Sequence, residues 1–121
     1  MRLDTGFLSF DLRDVPAYAR KAEELGFGAL WAAETKHDAF LPLAVAATST
    51  ARIGLGTAIA IAFARSPMVL ANIAWDLQKA SGGRFTLGLG TQVKAHNERR
   101  FAVKWEAPGP RLREVVGALR A

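Results

Sequence analysis

The sequence predicts an α/β fold with a parallel sheet, and three observations carry that expectation. Apolar strand-like segments begin near residues 3, 29, 53 and 85, a spacing of about 25–30 residues that suits a βαβ unit. Amphipathic or alanine-rich stretches with helical punctuation fall between them. The run Ile53 to Ala62 carries no charged residue, as suits a strand buried on both faces.

Each element follows from its residues. Leu3 to Phe10 reads as the first strand. Val15, Tyr18, Ala19, Ala22 and Leu25 then make one apolar helical stripe, with Arg20, Lys21, Glu23 and Glu24 on the other face. Asp14 before Val15-Pro16 suits an N-cap, and Gly26 suits the C-terminal stop. Ala29 to Ala33 is the second strand. A helix is expected from near Pro42 to Ala51. Ile53 to Ala62 is the third strand. Ser66-Pro67 opens the next helix, Ser as cap and Pro in the first turn. Its inward stripe is Leu70, Ile73, Ala74 and Leu77, and Ser81-Gly82-Gly83 ends it. Phe85 to Gly90 is the fourth strand. A long polar loop follows, then a helix opened by Pro110 with Leu112, Val115, Val116 and Leu119 inward. Trp31 and Trp75 read as core residues, with Trp31 alternatively a pocket wall.

Two architectures fit four βα units: an open sheet with helices on both faces, or an arc of a (β/α)8 barrel. A whole barrel needs about 200 residues or more, so a chain of 121 residues supplies about half of one. No Pro/Ser-rich linker divides the chain, so residues 1–121 read as one domain. In either architecture, chemistry belongs at the C-terminal ends of the strands.

Composition removes several function classes. There is no cysteine, which excludes disulfides, thiolate metal sites and cysteine nucleophiles. Two histidines make a His-rich metal centre a poor fit, and no metal is expected. No apolar run approaches the roughly 20 residues of a membrane helix, and Met1-Arg2-Leu3-Asp4 lacks an apolar signal core, so a cytoplasmic protein is expected. The formal charge of +5 is uneven. Residues 1–83 hold eight basic and eight acidic side chains, whereas residues 84–121 hold eight basic against three acidic.

The predicted strand ends gather the chemistry-bearing residues. Ser9 and Phe10 follow the first strand. Glu34-Thr35-Lys36-His37-Asp38 follows the second. Phe63-Ala64-Arg65 follows the third, and Gly90-Thr91 with Gln92 to His96 follows the fourth. A histidine flanked by carboxylates can transfer a proton near neutral pH. The same run also reads as a solvated loop with Asp38 capping the next helix. His96, among Lys94, Glu98, Arg99 and Arg100, suits a phosphate or a carboxylate-rich tail, or simply a solvated basic loop. Nucleic-acid binding is a further reading of that cluster, with Phe101 and Trp105 as stacking groups, but no DNA- or RNA-binding motif accompanies it. Gly88-x-Gly90 lacks the third glycine of a dinucleotide loop and reads as a close backbone approach or a tight strand end. Gly54 and Gly56 read likewise.

Three separated segments carry a family resemblance: Ala22-Glu23-Glu24-Leu25-Gly26-Phe27 with Leu30-Trp31; Ile53-Gly54-Leu55-Gly56-Thr57-Ala58 through Ala64-Arg65-Ser66-Pro67; and Ser81-Gly82-Gly83-Arg84-Phe85-Thr86-Leu87-Gly88-Leu89-Gly90. Together they resemble the N-terminal part of the luciferase-like monooxygenase superfamily, in particular its branch using coenzyme F420. The resemblance implies a TIM barrel, here a partial (β/α)8 barrel, with a deazaflavin (F420) or alternatively FMN over the strand ends. It implies a cis peptide at Ala58–Ile59, with Ala58, Ile59 and Ala60 supporting the ring and Gly90 and Thr91 along its polar edge. Many members place a histidine directly after the acidic residue that follows strand two. Here Thr35 follows Glu34, and His37 comes two residues later. The implied chemistry is hydride transfer to or from a small organic substrate, with His37 moving the proton and Glu34 orienting it. The alternative is a barrel fragment without activity of its own, associating through open sheet edges as a homo-oligomer.

Overall fold

The computed structural model describes residues 1–7 and 11–121, and among these are six short strands and five α-helices. Strands β1 (Thr5–Gly6), β2 (Ala29–Ala32), β3 (Gly54–Thr57) and β5 (Phe85–Thr86) form one parallel sheet in that order. A second parallel pair, β4 (Ala60–Ile61) with β6 (Leu89–Gly90), extends β3 and β5. The helices are α1 (Val15–Glu24), α2 (Phe40–Ser49), α3 (Pro67–Ala80), α4 (Lys94–Phe101) and α5 (Pro108–Arg120).

Two facts decide between the architectures. Strand order follows chain order, whereas a doubly wound sheet reverses at a switch point. The helices also pack on one face of the sheet. Leu30, Leu55 and Phe85 share a register row and are buried against Val15, Ala19, Leu43, Ala46, Leu70 and Leu77 of the helices. The adjacent row, pointing to the opposite face, is Gly6, Trp31, Gly56 and Thr86. Thr86 is exposed and Trp31 half-buried. This is the layering of a barrel wall, so the chain is an α/β arc of a (β/α)8 barrel.

Several element boundaries differ from expectation. The expected first strand ends at Gly6 among the described residues, and its continuation over 8–10, with Ser9 and Phe10, lies outside them. Asp14 makes no side-chain cap. Asp11 does instead, accepting from Arg13 N at 2.9 Å and starting a 3-10 turn, Leu12–Asp14, that leads into α1. Gly26 follows α1 with φ +83°, as a helix stop requires. Helix α2 begins at Phe40 rather than Pro42, because Asp38 Oδ1 caps both Phe40 N (2.7 Å) and Leu41 N (2.9 Å). The third strand breaks between Thr57 and Ala60, and the fourth breaks at Leu87-Gly88. Part of the expected polar loop is α4, and α5 starts at Pro108 rather than Pro110. Trp75 is 75% exposed on the outer side of α3, so it is not a core residue. Ser66 caps α3 as expected, its Oγ accepting from Val69 N.

Two charged side chains lock the end of the sheet opposite the site. Arg84 donates to the carbonyls of Ala47, Thr50, Ile53 and Ser81, tying the end of α2 to β5. Glu23 accepts from the backbone N–H groups of Ala51, Arg52 and Ile53. Burial opposes its charge, but these three donors and Arg52 hold the Glu23 carboxyl below its ordinary value of 4.5. A carboxyl lowered by folding stabilises at higher pH, and that contribution is lost as pH falls through the folded value. Glu23→Gln is therefore expected to lower stability at pH 7 by about 2 kcal/mol and to flatten the acid limb of the stability profile below pH 4.5. Urea unfolding between pH 7 and pH 3 reads both effects.

Candidate functional site

The strand ends are built from small residues that approach one another closely. Thr57 Oγ1 donates to the Gly88 carbonyl (2.7 Å) and accepts from Gly88 N (2.9 Å). A Cβ on Gly88 would stand 2.0 Å from the Thr57 carbonyl oxygen, so only glycine fits. A Cβ on Gly90 would meet the Ile59 side chain at 2.9 Å. The close approach expected of Gly88 and Gly90 is thus made to the neighbouring strand and to Ile59. Gly56 is likewise overlain by the Trp31 ring, and Trp31 Nε1 donates to Asp4.

The Ala58–Ile59 peptide is cis, at the break between β3 and β4. Hydrogen bonds fix this segment on both sides: Ala58 N to Ala32 O (2.8 Å), Glu34 N to Ile59 O (3.1 Å) and Ala60 N to Gly88 O (2.9 Å). Ala33 and Ala58 are exposed and Ala60 is buried. The end of β2, the Ala58–Ala60 segment leading into β4 and the end of β6 therefore form a floor of alanine, glycine and threonine around Ile59.

Glu34 does not reach His37 among the described residues. It is 5% exposed, and its carboxylate accepts from Ile61 N (2.9 Å) and from Arg65 (2.9 and 3.0 Å). Arg65 also bonds Asp38 Oδ2 at 2.7 Å and stacks over Phe40. Burial works against the Arg65 charge, but Glu34 and then Asp38 hold its guanidinium above the ordinary arginine value. Asp38 is therefore both a helix cap and an ion-pair partner. The expected orientation of His37 by Glu34 is replaced by a Glu34–Arg65–Asp38 cluster that pins the β4 backbone to the start of α2.

His37 is exposed and makes no hydrogen bond among the described residues. It lines a cleft of about 410 Å³ with Phe7, Ala32, Ala33, Thr35 and Asp38. Ala32 is bonded to Ala58, so this cleft adjoins the cis segment. Another cleft of about 490 Å³ lies between the end of β4 and α5, lined by Phe63, Ala64 and Arg65 of the third strand end but by none of Glu34, His37, Ala58, Ile59, Ala60, Gly90 and Thr91.

Gly90 and Thr91 lead into α4 through a loop fixed by Asn97. This side chain is fully buried, and its amide donates to the carbonyls of Thr91 (2.9 Å) and Val93 (3.1 Å). His96 faces solvent on α4. Sequence reading missed two residues here. Arg65 was visible only as a strand-end residue, since nothing local marks it as the partner of Glu34. Asn97 anchors a helix through an amide, so apolar periodicity gives no signal for α4.

The sequence matches the luciferase-like monooxygenase family over residues 2–121. It is 57% identical over 99 residues to an uncharacterised protein of Mycobacterium tuberculosis, a match covering 82% of this chain and 29% of that protein. A putative coenzyme F420-dependent oxidoreductase of the same organism is 37% identical over 100 residues, again 82% of this chain and 29% of the relative. The FMN-bound oxygenating constituent of 3,6-diketocamphane monooxygenase from Pseudomonas putida overlays with a TM-score of 0.84 at 16% identity, covering 98% of this chain and 39% of that structure. The chain thus spans less than a third of the curated relatives it matches.

Proposed function

The chain belongs to the luciferase-like monooxygenase family, and on that premise we propose that its strand-end cleft is part of a hydride-transfer site. The cofactor is a deazaflavin, coenzyme F420, with FMN as the alternative, and the substrate is a small organic molecule. Residues 1–121 are then the N-terminal half of the barrel domain.

The observation that carries this reading is the floor of small residues beside an unbonded imidazole. A flat ring system needs close, unobstructed backbone beneath it. It is also favoured where nearby carboxylates are paired: among the described residues Arg65 engages Glu34 and Asp38, and Arg13 engages Asp11 of the cleft. The residues fit the group on both counts. Ala58, Ile59 and Ala60 would support the ring, and Gly90 and Thr91 would lie along its polar edge. The bound cofactor supplies the hydride acceptor or donor. His37 takes the proton from a substrate hydroxyl as hydride leaves its carbon, or returns it in the reverse direction. Glu34 is a positioning residue: it holds the Ile59–Ile61 backbone through Ile61 N and through its own N–H to Ile59 O.

Titrating F420 and FMN into the chain, followed by fluorescence, tests the reading. Saturable F420 binding is expected. At saturating cofactor, His37→Ala should slow the bleaching of bound deazaflavin by secondary alcohols about 10²- to 10⁴-fold. A folded sample that binds neither cofactor sinks the proposal. The short strands at the two ends of the described sheet, β1 and β5, each paired on one side only, favour one other reading, a barrel fragment that associates through its sheet edges. Gel filtration showing a dimer that binds neither cofactor would match it.

A further inference from the structure

The loop that carries His37 is held firmly at both ends. Glu34 and Asp38 are both paired with Arg65. Glu34 N also donates to Ile59 O, and Asp38 Oδ1 caps the start of α2. Between these ends, Thr35, Lys36 and His37 are exposed. Among the described residues they take part in a single hydrogen bond, from the Arg100 guanidinium to the Thr35 carbonyl. Arg100 lies 65 residues further along the chain, in the last turn of α4. Without that bond the middle of the loop would keep most of its backbone freedom.

The guanidinium is itself restrained. It lies 5.3 Å from the centre of the Phe101 ring, and α4 is fixed one turn earlier by Asn97. That side chain is fully buried and donates to the carbonyls of Thr91 and Val93. A helix of 8 residues is marginal by itself, so these contacts, rather than propensity, set where α4 stands. Asn97 and Arg100 are three residues apart and therefore neighbours on the helix surface. One helix thus grips both rims of the proposed site: Thr91 beside the cofactor edge, and Thr35 two residues before His37.

The geometry points to Arg100 as a positioning residue for His37, acting through the Thr35 carbonyl. Thr35 and His37 both line the His37 cleft and Arg100 does not, so its influence on that cleft runs through the loop. The inference rests on the hydride-transfer reading for the task it gives His37; the tether does not depend on it. Proton transfer needs the imidazole within hydrogen-bond reach of the substrate hydroxyl, and a misplacement of about 1 Å can cost about 10²-fold in rate.

Amide order parameters from NMR relaxation, measured on the full chain without cofactor, test the tether. Lys36 and His37 are expected near the rigid-backbone value of about 0.85 in the parent and below about 0.6 in Arg100→Met. That variant keeps an apolar stem against Phe101 and removes the donor. Arg100→Lys, which keeps a charged donor, is expected to recover most of the order. Arg99→Met removes the neighbouring exposed charge but no hydrogen bond among the described residues, and should match the parent. At saturating F420, bleaching by a secondary alcohol should follow the same ranking, slowed about 10- to 10²-fold in Arg100→Met. The proposal is overturned if Arg100→Met leaves Lys36 and His37 as ordered as in the parent, or if Arg99→Met loosens them equally. It is also overturned if order is lost throughout α4 and α5, which would make Arg100 a residue of the fold, or if the loop loosens while bleaching keeps the parental rate. A chain whose loop loosens in Arg100→Met but which binds neither F420 nor FMN supports the tether and fails the hydride-transfer reading.

Discussion

Arg65→Ala is expected to destabilise the chain by about 3–5 kcal/mol, because it strands a buried carboxylate. The Glu34 side chain is 4% exposed and would keep one donor, Ile61 N, for its two oxygens. Asp38 is 34% exposed and would keep its cap bonds to Phe40 and Leu41, so it suffers less. The loss should therefore come mainly from Glu34, and not from a favourable net worth of the ion pair. A second variant separates these causes. Arg65→Met combined with Glu34→Gln leaves no buried unpaired charge, Asp38 being partly exposed, and is expected to recover most of the stability. Urea midpoints of the parent, the single variant and the double variant decide it. A double variant as unstable as the single one would mean that the ion pair itself, rather than the stranded charge, carries the energy. The same change should disturb the site, since Glu34 holds the Ile59–Ile61 backbone.

Gly88→Ala is the other large effect, about 3 kcal/mol or more, from overpacking together with lost hydrogen bonds. The added methyl would stand 2.0 Å from the Thr57 carbonyl oxygen, which is backbone in the middle of the wall and cannot swing aside. Relieving the clash means separating the two strands, and that breaks the reciprocal bonds between Thr57 Oγ1 and Gly88. Gly90→Ala is the informative contrast. Its methyl would meet the flexible Ile59 side chain at 2.9 Å, so a cost near 1 kcal/mol is expected as Ile59 shifts. Gly117→Ala, in open space on α5, should be neutral or stabilising by up to about 1 kcal/mol. Thermal unfolding of the three variants should rank them in that order. A Gly88 variant as stable as the Gly117 variant would contradict the close packing of these strand ends.

Much of this protein was legible as sequence because its signals are local. Ser66-Pro67 fixed the start of α3, the helical stripes fixed which faces turn inward, and the charge-free run from Ile53 fixed a buried strand. Segments in register with the family's pattern located the Ala58–Ile59 peptide and the strand-end floor. Trp75 marks a limit of that reasoning, since an apolar ring on a helix was assigned to the core and lies outside it. Tertiary structure decided what depended on residues far apart in the chain. Strand order chose the barrel arc over the doubly wound sheet, because pairing partners are not encoded in any single window. Glu34 was expected to serve its sequence neighbour His37. It instead faces Arg65, 31 residues away, because a buried carboxylate is held by whichever cation and N–H groups the fold brings to it. Helix α4 had no apolar stripe to announce it, and it is placed by the Asn97 amide and by the Arg100 bond to the Thr35 carbonyl, contacts that only the folded chain brings together.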